Sequence, residues 1–320
     1  MASVGADGSG KNGVEDVSVD AVYEQVRVAL GSEATTVERS GVVEIVPGIR
    51  TLALRTPTLP PATHTACFLV GPSGPRRGAV MVVDPASPYA DEQAALDDVL
   101  AAEAEAGRPV AAIWLTHHHG DHVGGAAHLA ARLGVPVWAH AATAERLAGS
   151  VPVHRHLEDG DELEVDGRAV IAVHTPGHAP GHLCFFDRSS GAVIAGDMVA
   201  GVGTILIDPS EGDMAEYLGS LERLIALAPA RLLPAHGPVI EDAIARLRGY
   251  IAHRQMREQR IAAALARAGH AVTARELVPD AYADTPRALW LLAERSLLSH
   301  LVKLERDGRA RRQPDGWVAV

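Results

Sequence analysis

Cysteine is nearly absent from this 320-residue chain: only Cys67 and Cys184 occur, far apart and without metal-ligand spacing. A disulfide framework and a cysteine-built zinc knuckle are thereby excluded, and a reducing compartment is favoured. No apolar run is long enough to span a bilayer. The first twenty residues lack the apolar core of a signal peptide and read as a flexible tail, so the expected location is the cytoplasm, without membrane association. The chain also lacks a Gly-x-Ser-x-Gly elbow, a P-loop and a dinucleotide-binding glycine fingerprint. Positive charge is scarce, and the net charge of −11 opposes nonspecific attraction to nucleic acid or anionic membranes.

What is present belongs to an ordinary globular protein: 47% hydrophobic and 22% charged residues exclude wholesale disorder. Charge is unevenly divided. Residues from Arg254 onward carry a net +4 and the remainder a net −15, which suggests two modules. The reading is a tail over residues 1–20, a catalytic domain over 21–253 and a small module over 254–320.

Short apolar runs bounded by Gly and Pro mark strands at Val42–Val46, Thr51–Arg55, Ala66–Val70, Ala79–Val83, Ala111–Thr116 and Val137–Ala139. Asp166-Gly167 and Ser190-Gly191 are hairpin signals between further strands, and Arg231–Leu233 is a last short one. Helical segments at Asp91–Ala106, Gly124–Leu133 and Asp213–Leu227 are interposed, giving a layered α/β protein. Beyond Arg254 the pattern is helical. A capping box at Thr273–Glu276 starts one helix, Thr285 with Pro286 is expected to start another, and Pro314-Asp-Gly316 turns a terminal hairpin. Helices closed by a hairpin make a winged helix-turn-helix.

The chemistry is concentrated in Thr116-His-His-His-Gly-Asp-His122, at the end of an apolar strand. Neutral imidazole and carboxylate are the common non-thiolate zinc ligands, and a tight loop carrying His117, His119, Asp121 and His122 can aim donors at two neighbouring ions. Three single residues follow in matching contexts, each after an expected strand: His178 in Thr-Pro-Gly-His, Asp197 in Gly-Asp-Met and His236 in Pro-Ala-His-Gly.

In these motifs the sequence resembles the metallo-β-lactamase superfamily, over roughly Val42 to Glu241. The resemblance implies an αββα sandwich followed by the winged-helix module. It implies one metal on His117, His119 and His178, a second on Asp121, His122 and His236, and Asp197 bridging them. Asp121 and Asp197 would be the catalytic carboxylates, and Asp84 would orient a ligand from behind. Two zinc ions per chain are expected, with Mn or Fe able to enter the same donors. Such a pair, roughly 3.5–4 Å apart, makes a bridging water acidic enough to attack a carbonyl or phosphorus centre near neutral pH. Lactamases place a Cys where Asp197 stands, which argues against antibiotic hydrolysis.

The segment Gly-Tyr-Ile-Ala-His-Arg-Gln-Met-Arg-Glu-Gln (249–259), with the winged helix behind it, is similar to the beta-lactamase-like protein 2 group. In that group relatives usually carry Asn where Ala66 stands. The group implies two substrate classes, small acyl compounds and single-stranded RNA. Acyl hydrolysis of a thioester, ester or lactone ranks first, because the acidic catalytic domain disfavours phosphate backbones. Metal-dependent RNA cleavage is the alternative. A ligand-sensing regulator ranks third, with Arg287, Arg295, Arg309, Arg311 and Arg312 on a nucleic acid. A homo-oligomer is compatible with all three.

Of the other histidines, His118 alternates with two ligands and is expected to face away from the ions. His182 is expected in ordinary packing, with a place behind a ligand or facing the substrate as the alternative. His64 and His140 read as ordinary structural residues, and His154, His156 and His174 have no identifiable partner. Tyr250, His253 and Arg254 read as a structural junction.

Overall fold

A computed structural model describes residues 41–320 together with Gln25, Val26 and Val28; the expected tail, residues 1–20, lies outside the described residues. Strands β1 (Val43–Val46), β2 (Ile49–Arg55), β3 (His64–Val70), β4 (Val80–Val83), β5 (Val110–Trp114), β6 (Val137–Ala139) and β7 (Arg155–His156) form one sheet in sequence order. In β2, Leu52 and Leu54 are buried while Thr51, Ala53 and Arg55 are only half-buried, the alternation of a strand with one covered face. β4 is apolar and buried throughout, as suits a central strand pairing in parallel with β5.

The second sheet has the order β12–β11–β10–β9–β8, built from β8 (Glu162–Val165), β9 (Arg168–His174), β10 (Leu183–Asp187), β11 (Ala192–Gly196) and β12 (Arg231–Pro234). The two-residue turn between β8 and β9 has Asp166 at φ 51° and Gly167 at φ 75°, the doubly left-handed turn that matches strand twist.

Helices cover both outer faces. On the first sheet lie α1 (Ala90–Glu105), the short α2 (Gly120–Val123), α3 (Ala126–Leu133) and α4 (Ala141–Arg146). On the second lie α5 (Met214–Ala226), capped by the Asp213 carboxylate, and α6 (Ala243–Ala268). Phe68, Trp114, Leu183 and Phe185 fill the space between the sheets. Leu96, Leu100 and Leu129 join the first sheet to its helices, and Tyr217, Leu221 and Leu247 join the second. The result is the αββα sandwich.

The helix expected from Gly124 begins only at Ala126. Gly124 and Gly125 run against Pro85 and Pro88, where a Cβ on Gly125 would sit 2.3 Å from the Pro85 carbonyl oxygen. α4 carries no Ser, Thr or Asp cap; the His140 ring accepts from the Ala142 amide instead, so sequence rules pass over it.

α6 runs for 26 residues, with Leu247 in the sheet-facing core and Ile261 and Leu265 in the core of the C-terminal module. That module comprises α7 (Ala274–Ala281), α8 (Trp290–Arg306) and the hairpin β13 (Ala310–Gln313) and β14 (Gly316–Ala319), packed around Leu297, Leu301 and Trp317. The capping box forms: Glu276 N donates to Thr273 Oγ1 at 3.3 Å, and Thr273 N to Glu276 Oε2 at 2.8 Å. Thr285 does not cap the next helix. Pro286 is extended, a single 3₁₀ turn intervenes at Arg287–Leu289, and the Thr285 carbonyl accepts from Trp290 Nε1.

Candidate metal centre

Strand polarity gathers the site. β4 and β5 are parallel neighbours, so Asp84 and the Thr116–His122 loop leave the first sheet at one edge. In the second sheet β9, β11 and β12 all run in one direction, which puts the turns bearing His178, Asp197 and His236 at one edge as well. The ligand-bearing turn at Gly177 needs glycine: its φ is 122°, and a Cβ there would meet the Tyr217 backbone nitrogen at 2.2 Å.

All seven residues singled out in the sequence converge. His117 Nε2 lies 2.9 Å from His119 Nδ1, and His178 Nε2 lies 3.3 Å and 3.0 Å from those two atoms. Beside this triad, His236 Nε2 is 3.5 Å from Asp121 Oδ2, and His122 Nε2 is 4.0 Å from Asp121 Oδ1. Asp197 stands between the groups. Its Oδ1 is 3.5 Å from His122 Nε2 and 3.3 Å from His236 Nε2, while its Oδ2 is 3.6 Å from His178 Nε2. One carboxylate oxygen therefore faces each triad.

The outward ring nitrogens explain why the inward ones are available. His122 Nδ1 meets Asp84 Oδ2 at 2.9 Å, His178 Nδ1 meets the Leu206 carbonyl at 2.9 Å, and His236 Nδ1 meets the His64 carbonyl at 3.1 Å. His119 Nε2 meets Glu211 Oε1 at 2.7 Å. Each partner is an acceptor, so each ring donates outward and turns a lone pair toward the centre. Thr116 links the remaining ring: its hydroxyl donates to Asp84 Oδ2 at 2.6 Å and accepts from His117 Nδ1 at 3.0 Å.

The electrostatics and the unmet valences fit a cation. Burial holds His117 protonation well below the ordinary range, and burial with the nearby His119 pushes His178 down to about 4. Burial works the same way on His122, but the Asp197 and Asp121 carboxylates outweigh it and raise its pKa well above the usual value. Burial would raise Asp197, yet His236 and His122 hold it well below the carboxylate range. His122 Nε2 and Asp197 Oδ1 are both buried without a hydrogen-bond partner. Buried, facing each other at 3.5 Å and without a hydrogen bond, the two atoms stand as two ligands of one ion would. The donor set of five imidazoles and two carboxylates, without thiolate, suits zinc and its borderline neighbours. These residues are candidate metal ligands; His117, His119 and His178 form one compact group and Asp121, His122 and His236 another.

Other histidines find their places. His118 points away from the triads, to Glu211 Oε2 at 2.8 Å. His182 is buried behind Asp197: its Nε2 accepts from the Asp197 amide at 3.0 Å and its Nδ1 meets Thr175 Oγ1 at 2.8 Å. His140 and His174 stack with centroids 4.1 Å apart, and His154 Nδ1 accepts from the Val137 amide. Arg295 is not a surface arginine. It is buried against Asp208, with Nε–Oδ2 at 2.6 Å and Nη2–Oδ1 at 2.7 Å. Sequence reasoning missed Glu211 and Thr116. Thr116 adjoins the histidine run, whereas Glu211 lies 92 residues from His119 in an ordinary turn with no local signal.

The cluster opens into a cavity of about 300 Å³ that both modules line. His119, Asp121, His178, Asp197 and His236 form one end. The walls are largely apolar, with Leu59, Pro61, Ile205, Leu289 and Leu292, and α6 contributes His253, Arg254 and Arg257.

A profile of the metallo-beta-lactamase superfamily matches residues 60–236, and one of the beta-lactamase associated winged helix domain matches residues 273–317. The chain is 34% identical to the beta-lactamase-like protein 2 homolog of Drosophila melanogaster, over 77% of this chain and 84% of that one. It is 33% identical to lactamase-like protein vrtG of Penicillium aethiopicum, over 82% of this chain and 87% of that one. A metallo-beta-lactamase family protein from Thermus thermophilus superposes with a TM-score of 0.70 at 26% identity, covering 87% of this chain and 100% of that one. A beta-lactamase domain protein from Burkholderia ambifaria shares the fold, with a TM-score of 0.77 at 24% identity over 90% and 96%. From the two sheets, the His/Asp cluster at their edge and these matches, the chain belongs to the metallo-β-lactamase superfamily and ends in a beta-lactamase-associated winged helix domain.

Proposed function

We propose that the chain is a hydrolase holding two divalent ions, zinc by its donor set, and that it cleaves a small acyl substrate, a thioester, ester or lactone. His117, His119, His178 and Asp197 Oδ2 would hold one ion; Asp121, His122, His236 and Asp197 Oδ1 would hold the other. When bound, such a pair supplies Lewis-acid polarisation of the substrate oxygen and lowers the pKa of water to near neutrality. The protein's own work is placement. Asp84, Glu211, the Leu206 carbonyl and the His64 carbonyl keep the four outward N–H groups engaged, and His182 fixes the backbone of Asp197. The largely apolar walls lower the polarity around the cluster, which strengthens charge interactions there.

The observation that carries the acyl reading is the cavity. It is about 300 Å³ in volume and mostly apolar, and none of Arg309, Arg311 and Arg312 is among the residues lining it. Arg309 is instead engaged by Glu258 at 3.1 Å. The test is a panel on the zinc-loaded chain: thioesters, aryl esters, lactones and labelled single-stranded RNA, each over a range of salt. Acyl hydrolysis is expected, nearly independent of salt and of replacing all three wing arginines with Ala. RNA cleavage as the sole activity, with a salt slope of roughly −0.7 per phosphate contact and collapse in the triple variant, would overturn it.

A further inference from the structure

Arg254 lines the cavity from α6 and is only 3% exposed. Neutral partners seat its guanidinium. Nη2 donates to the Ile205 carbonyl, and the group lies 5.4 Å from the centroid of the Tyr217 ring. Nε is buried without an acceptor.

No carboxylate among the described residues lies within ion-pair distance of Arg254. Three carboxylates on the surrounding elements are already engaged. Asp208 is held by Arg295, Glu258 by Lys303 and Arg309, and Asp284 by Arg257 and Arg260. Asp121 and Asp197 face the histidines at the closed end. Arg257 makes the contrast: one turn further along the same helix and lining the same cavity, it has its own counter-ion. A guanidinium stays charged at every working pH, and burying it unpaired is expensive. The local potential is visible at His253, which burial and the charges of Arg254 and Arg257 push down to about 4. That ring is neutral near pH 7, so the positive charge on this wall is carried by the arginines.

We propose that Arg254 receives a carboxylate carried on the acyl portion of the substrate, so that the enzyme acts on acyl groups with an anionic end. The proposal rests on the hydrolase reading above. A planar, singly charged carboxylate matches one guanidinium fork, and its single charge balances the one guanidinium that lacks a counter-ion, whereas Arg257 on the same wall is already neutralised by Asp284. The apolar stretch of the acyl chain would lie along Ile205, Leu289 and Leu292, with the scissile carbonyl at the cluster end.

The test compares the N-acetylcysteamine thioester of glutarate, whose free end is a carboxylate, with the same thioester ending in the neutral amide, on the zinc-loaded full chain. The carboxylate substrate should have the higher kcat/KM by about tenfold or more, mainly through KM. In Arg254→Gln that ratio should fall toward one, and in Arg254→Lys it should be intermediate. No preference in the unaltered enzyme overturns the proposal, as does a preference that survives in Arg254→Gln. If Arg254→Gln does not fold, the unaltered enzyme and Arg254→Lys decide it by the same ratio. If neither thioester is hydrolysed, the thioester branch of the hydrolase reading fails on its own. The anion site is then read by calorimetric binding of glutarate against glutaramate: a tighter glutarate, weakened about tenfold in the variant, supports it, and equal affinities overturn it.

Discussion

Arg295 on α8 grips Asp208, 87 residues earlier in the chain, through two charge-assisted hydrogen bonds of 2.6 and 2.7 Å, and both side chains are buried. The contact ties the winged helix to the loop that supports the candidate metal ligands. Next to Asp208, the Ile207 carbonyl accepts from Ser299 Oγ, and the Leu206 carbonyl accepts from His178 Nδ1. Three residues beyond, Glu211 holds His118 and His119.

Breaking one side of that pair should therefore be felt twice. Removing a single partner of a buried ion pair leaves an uncompensated charge, so Arg295→Ala should lower unfolding stability by about 3–5 kcal/mol. Urea melts of the full chain measure this. Zinc retention against a chelator should fall in the same variant, because the loop that orients His178 loses its anchor. Unchanged stability and unchanged retention would show that the two modules merely touch.

Glu211 is the second lever. It accepts from His119 Nε2 at 2.7 Å, so it fixes which nitrogen of that ring faces the cluster. Glu211→Ala should weaken zinc binding by roughly 10–100-fold, the usual loss when the partner behind a ligand is removed. Glu211→Gln, which keeps an acceptor oxygen, should lose less. Competition with a fluorescent chelator distinguishes the two.

A third expectation concerns acid. Burial, then Arg254 and Arg257, lower the His253 pKa from 6.5 to about 4 in the folded protein. Between those values the unfolded chain binds more protons than the native one, so this group's contribution to stability rises with pH. It is fully present above about pH 6.5 and is lost progressively as pH falls toward 4. Denaturant midpoints at neutral and mildly acid pH should fall less in His253→Gln than in the unaltered chain. NMR titration should also show the His253 pKa rising in Arg254→Gln, which removes one of the repelling charges.

The legible part of the site was the part written locally or at strand ends. His117, His119, Asp121 and His122 share one loop, and His178, Asp197 and His236 each follow an apolar strand, so residue type and context picked out seven residues that the fold brings together. Periodicity and turn residues likewise exposed most strands and the capping box at Thr273. What stayed hidden depends on long-range contact. Glu211 and the Leu206 carbonyl reach their imidazoles only after α5 packs against the second sheet and α8 grips the intervening loop at Ile207 and Asp208, and nothing in the neighbouring residues announces it. Arg295 misled for a related reason: a cation on an amphipathic helix reads as solvated until its buried carboxylate partner is seen. α4 was passed over because a histidine performs the capping.

The central claim is that the chain's five imidazoles and two carboxylates constitute a two-ion site. Elemental analysis of the purified full chain after zinc loading and desalting tests it most directly. About two equivalents per chain are expected, as in other two-metal hydrolases, with Asp197→Ala retaining clearly fewer because each triad loses one of its oxygens. A chain that holds no zinc, or an Asp197→Ala variant that keeps both equivalents and full hydrolytic activity, would contradict the account.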